Sequence, residues 1–100
     1  MNMQQMMAQA QKMQRELQKA LRELEEKEFT LTKGGAVTVK MYGSGEVISV
    51  SIDEDAFEKD NKEMIEDLIA LAINEGLETI AAEKEAINER ITGQKGGFGF

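Results

Sequence analysis

The chain has 100 residues, of which 41% are hydrophobic and 31% charged, and a formal charge of −7; this fits one small domain with a heavily solvated surface. Cysteine and histidine are both absent, which excludes a disulfide framework, a thiolate zinc site, a cysteine nucleophile and the usual general base. Ordinary enzyme chemistry is therefore not expected, and no cofactor or metal is implied.

Proline is absent too, so nothing fixes φ or removes a backbone donor inside a helix. From Asn2 to about Lys27 the apolar residues Met3, Met6, Ala10, Met13, Leu17, Ala20 and Leu24 recur at steps of 3 and 4, a heptad seam that predicts one long helix. Met7 and Leu21 widen the seam, as expected of a helix packed on a sheet or a partner. Met3, Met6, Met7 and Met13 read more readily as an adaptable core seam than as a groove for another molecule.

Between residues 28 and 53 the period changes to 2. Phe29 and Leu31 alternate with Thr30 and Thr32, and Gly34-Gly35 follows as a turn; Val37, Val39 and Met41 alternate with Thr38, Lys40 and Tyr42, and Gly43-Ser44-Gly45 makes the next connection. A third strand runs from Glu46 to Ile52, with Ile48, Val50 and Ile52 on one face. Asp60 and Glu63 read as a capping box for a second helix from Asn61 to about Ile91, ended by Gly93. Its first half is broadly apolar and expected to be buried, and its second half is expected to project as a polar arm. The tail GQKGGFGF holds four glycines and is expected to be disordered unless its phenylalanines dock. The organisation is thus a single domain over 1–92 and a flexible Gly-rich tail over 93–100. The fold class is α+β: a long N-terminal helix, a three-stranded antiparallel sheet and a long C-terminal helix. Edge strands and an apolar arc wider than one thin sheet covers call for a homodimer.

No stretch reaches the eighteen apolar residues of a membrane span, and the N-terminus lacks the pattern of a signal peptide. A cytoplasmic location without membrane association is the resulting expectation. Charge is unevenly placed: residues 1–27 carry five cations against four anions, whereas residues 54–92 carry four against twelve. On the first helix Lys12, Arg15, Lys19 and Arg22 step by 3, 4 and 3, which sets them opposite the apolar seam. Ordinary solubilising charge is the simpler account on charge alone, because Glu16 and Glu23 lie at helical spacing from these cations. The functional account is contact with nucleic-acid phosphates, without visible base readout. Asp53, Glu54, Asp55 and Glu58 lack the spacing and central glycine of a calcium loop, and helix-start chemistry explains them better.

The stretches MMAQAQKMQRELQKALRELEE and DNKEMIEDLIALAINEGLETI, with the Gly-punctuated strands between them, resemble the YbaB/EbfC nucleoid-associated protein family. The resemblance covers nearly the whole chain, and its second stretch is the more specific. It implies a tweezer-like homodimer with projecting helical arms, nucleoid residence, binding to double-stranded DNA with broad or modest sequence preference, and no enzyme activity. It also implies a role in chromosome organisation, with replication or recombination proteins as partners. Carried over by position, the DNA-binding residues are Lys12, Arg15, Lys19 and Arg22, with Lys84 and Arg90 on the second arm. Glu78, Glu83, Glu85 and Glu89 repel phosphate unless they face away. The competing reading is a protein-protein interaction module with no direct DNA role. An acidic metal-dependent hydrolase, the third class, requires tight binding of a divalent ion.

Overall fold

The computed structural model describes residues 2–93; the expected tail beyond Gly93 lies outside them. Helix α1 (Met3–Glu26) leads into strands β1 (Glu28–Lys33), β2 (Val37–Tyr42) and β3 (Val47–Ile52), and helix α2 (Lys62–Thr92) closes the order. The strands form one antiparallel sheet in the order β1-β2-β3. Two single 3₁₀ turns, Glu54–Ala56 and Lys59–Asn61, join β3 to α2.

At 31 residues, or about 46 Å at 1.5 Å per residue, α2 is the spine of the molecule. The first half of its apolar face takes the sheet: Ile65 and Ala72 are buried with Ala36, Val37 and Val39. Further along, Ile80 packs with Leu24 of α1, Phe29 and Met41, and Ile87 lies against the same cluster. The second half of α2 is therefore not a free arm. It runs alongside α1, because Ile80, Ile87 and Ile91 continue the helical stripe that the sheet has used up. The result is a rod of 69 × 21 × 16 Å.

Strand alternation places Val37, Val39 and Met41 in the core, each at most 1% exposed, as the period of 2 requires. Gly34 and Gly35 both have φ near +60°, the conformation that a tight hairpin turn between right-twisted strands demands. Three details depart from the pattern read in the sequence. Val39 pairs with Val50 and Met41 with Val47, and the register shifts between Lys40 and Met41. This bulge leaves Ile48 as the extra residue and puts Val47 in its place on the apolar face. The box expected from Asp60 and Glu63 does not form: Asp60 sits inside the second 3₁₀ turn, which runs straight into α2, and the N-cap is Asn61. The Asn61 amide donates backwards to the Ala56 carbonyl at 2.9 Å instead of capping. A capping box exists at the other helix, where the Gln5 backbone N–H donates to Asn2 Oδ1 at 2.8 Å and the Gln5 side chain accepts from the Asn2 N–H. Gly93 ends α2 in the left-handed conformation, its N–H donating to the Glu89 carbonyl.

Candidate nucleic-acid interface

Two anchors hold α1 against the body. The β2–β3 connection grips the end of the helix: the Gly43 N–H donates to the Lys27 carbonyl at 2.8 Å and the Ser44 N–H to the Glu25 carbonyl at 3.2 Å. These bonds satisfy carbonyls that a helix terminus otherwise leaves open. Lys27 then ties α1 to α2, its Nζ 2.7 Å from Glu83 Oε1 and 5.1 Å from the centre of the Phe29 ring. Lys27, one of the five cations of residues 1–27, and Glu83, one of the carboxylates expected to repel phosphate, thus neutralise each other.

With Leu17 and Leu24 buried against α2, the opposite face of α1 is fixed toward solvent. Lys12, Arg15, Lys19 and Arg22 are all exposed along the outer side of α1, Arg15 and Arg22 clear of the groove between the helices and Lys12 and Lys19 also lining it together with Glu16. Lys12 to Arg22 covers about 15 Å. Among the described residues the ion pairs are Lys27–Glu83, Lys33–Glu75 and Lys62–Glu66, so none of the four stripe cations is consumed by a carboxylate of its own chain. Glu16 and Glu23 turn into the groove between the helices. One stretch of that groove is lined by Glu16, Lys19, Glu23 and Arg90, and the next by Gln9, Lys12, Met13, Glu16 and Ile91. Arg90 and Lys19 thus line the same groove from opposite helices, together with Glu16 and Glu23. Lys84 is exposed but belongs to neither stretch.

Glu78, Glu85 and Glu89 are exposed and fall opposite Gly76, Ile80 and Ile87 on a 3.6-residue wheel. They therefore point away from α1, and the two helices carry opposite charge on opposite sides. Asp53 accepts from the Asp55 N–H at 3.2 Å and caps the first 3₁₀ turn. Among the described residues no cluster of acidic side chains is arranged to hold a metal ion, and no helix is long and apolar enough to cross a membrane.

A second surface lies along edge strand β3 and the apolar arc of α2, the two features that the sequence left uncovered. Helix α2 covers β1 and β2 but leaves β3 open, so Val47, Ile48 and Val50 are 39–43% exposed; Leu77 of α2 is 45% exposed and Phe57 72%. Next to them Ile52, Phe57, Ile65 and Ile69 line a largely apolar trough between the end of β3 and α2, which Glu58, Lys59, Lys62 and Glu66 also line. Phe57 carried no signal because it stands alone between the predicted elements.

A rod-shaped α+β chain that exposes a row of cations along one helix presents a surface suited to a polyanion. The chain belongs to the YbaB/EbfC DNA-binding family, whose model matches residues 1–95. It is 48% identical over 96 residues to a nucleoid-associated protein of Clostridium novyi, covering 93% of this chain and 82% of that one. It is 35% identical over 89 residues to a nucleoid-associated protein of Malacoplasma penetrans, covering 89% and 95% of the two chains. The fold matches the crystal structure of an uncharacterised protein from Helicobacter pylori with a TM-score of 0.73 at 20% identity, over 92% of this chain and 98% of that one.

Proposed function

We propose that the protein is a non-enzymatic, homodimeric component of the nucleoid that binds duplex DNA through phosphates, with broad or modest sequence preference. The observation carrying this reading is that Lys12, Arg15, Lys19 and Arg22 stand exposed and unpaired among the described residues along one face of α1. Their span of about 15 Å matches about four phosphates at the 3.4 Å rise of one strand. Arg90 adds a cation from α2 in the groove it shares with Lys19, with Lys84 a more distant contributor. The sequence shows no zinc finger, recognition-helix turn or aromatic RNA-binding signature, which fits backbone-directed binding.

The trough beside β3 supports the dimer. Residues 47–52 hold no charged side chain, and an uncharged, unpaired apolar edge invites a second strand. Two copies present about eight stripe cations, within the range of phosphate contacts that makes binding steeply salt-dependent. Val50→Lys is expected to convert the dimer to a monomer in sedimentation equilibrium; retention of the dimeric mass places the interface elsewhere.

The deciding experiment is a salt titration of duplex binding. One engaged stripe gives a log–log slope of about −3 to −4 and two about −7. Replacing Lys12, Arg15, Lys19 and Arg22 with glutamine should flatten the slope and cost about 100-fold or more in affinity at low salt, with helicity and dimer mass unchanged. Equal binding by parent and variant refutes the stripe and favours the protein-interaction reading.

A further inference from the structure

The N-terminal turns of α1 have no partner in the described fold. Ile91, two residues before α2 ends at Gly93, shares a groove with Gln9, Lys12 and Met13, so the helix N-terminal to that point overhangs the spine. Met3, Met6 and Met7 are 76%, 57% and 58% exposed there, and Met13 is 36% exposed. Their expected place in the core is not where the structure puts them. They continue the same seam whose Leu17 and Leu24 are buried further along.

We propose that this tip is a self-association surface that pairs with the tip of a second copy in an antiparallel helix pair, separate from the trough beside β3. The spacing of Met3, Met6, Ala10 and Met13 is 3, 4 and 3, which reads the same in both directions. Set antiparallel about a two-fold axis, Met3 falls opposite the partner's Met13 and Met6 opposite the partner's Ala10. Each layer then joins an a position to a d position, and the patch is self-complementary as an isologous contact requires. Charge selects the same occupant. Residues 2–11 contain no ionisable side chain, so a charged partner finds no complement, whereas two such tips meet without the repulsion that a chain of charge −7 otherwise exerts on its copies. In this register Lys12 lies opposite the partner's Gln4, and like charges do not meet. Methionine suits the contact, since its flexible thioether adapts to an opposing helix.

The overlap of about 15 Å is smaller than a stable interface needs. Association is therefore weak between free molecules and strengthens when copies are held side by side on one DNA, which multiplies contacts without changing any of them. Sedimentation equilibrium of the full chain should show mass rising above that of the basic unit as concentration increases. The variant Met3→Gln/Met6→Gln/Met7→Gln should need at least tenfold higher concentration for the same rise, while keeping its helicity, because glutamine and methionine have similar helix propensities. Binding to a short duplex with room for one molecule should be unchanged, which separates this proposal from the cationic stripe. Because the chain has no cysteine, mixing Met6→Cys protein with Ala10→Cys protein under mild oxidation should yield a disulfide between positions 6 and 10 in preference to 6 with 6. Unchanged mass in the parent at all concentrations, equal association by the methionine variant, or preferential 6-to-6 linkage each overturns the proposal.

Discussion

Gly43→Ala is expected to destabilise the protein by about 3 kcal/mol or more, at the upper end of overpacking substitutions, and to lower its urea midpoint accordingly. A methyl group at position 43 would overlie the Leu24 carbonyl oxygen and come within 2.7 Å of its carbonyl carbon and 3.3 Å of Leu24 Cγ. The carbonyl is helical backbone and cannot swing aside as a side-chain tip can. The clash falls at the point where Gly43 and Ser44 donate to the end of α1, so relief requires α1 to leave the hairpin. Amide exchange should accordingly rise first in residues 24–27 and in the β2–β3 connection. A variant with the parental midpoint would show that the grip is dispensable.

Gly76→Ala sets two effects of opposite sign against each other. Alanine inside a helix is favoured over glycine by about 1 kcal/mol. The added methyl, however, overlaps Met41 Sδ and lies 3.1 Å from Leu31 Cδ2, where Met41 is completely buried. Crowding of a packed core costs about 1–3 kcal/mol, so a net loss of up to about 2 kcal/mol is expected. The balance reverses when the obstacle is removed: in a Met41→Ala background, itself about 2–5 kcal/mol less stable, Gly76→Ala should stabilise by up to about 1 kcal/mol. A double-mutant cycle of urea midpoints reads this sign change directly. Additive effects would mean that Met41 and Gly76 do not meet.

Periodicity made both helices and all three strands legible, because a seam stepping by 3 and 4 and an alternation of 2 each admit only one regular structure. The Lys12 to Arg22 stripe was legible for the same reason: a residue's face follows from its number once the helix and its buried side are known. What escaped were matters of contact between elements. The burial of α2's second half depends on α1 folding back beside it, and the mostly polar sequence there gives only Ile87 and Ile91 as hints. The bulge at Ile48 is set by pairing with β2, which a strand read alone does not reveal. The missed capping box at Asn2 and Gln5 lay in plain sight, but the Asn2 amide is a less familiar start than the carboxylate of Asp60. The exposure of Met3, Met6 and Met7 turned on where α2 stops relative to α1, a distance that no single helix encodes.

The separation of Lys12, Arg15, Lys19 and Arg22 from Glu78, Glu85 and Glu89 gives the rod a transverse electric moment. A molecule drifting near a polyanion experiences a torque before any atom touches, which rolls its cationic flank inward and holds its carboxylates outward. Productive collisions become more frequent than random tumbling allows, and this gain fades as the Debye length shrinks from about 30 Å at 0.01 M salt to about 8 Å at 0.15 M. A chain with excess negative charge can thus approach a polyanion with its cationic flank foremost, as the proposed contact requires, since orientation is governed by where its charges sit and not by their sum.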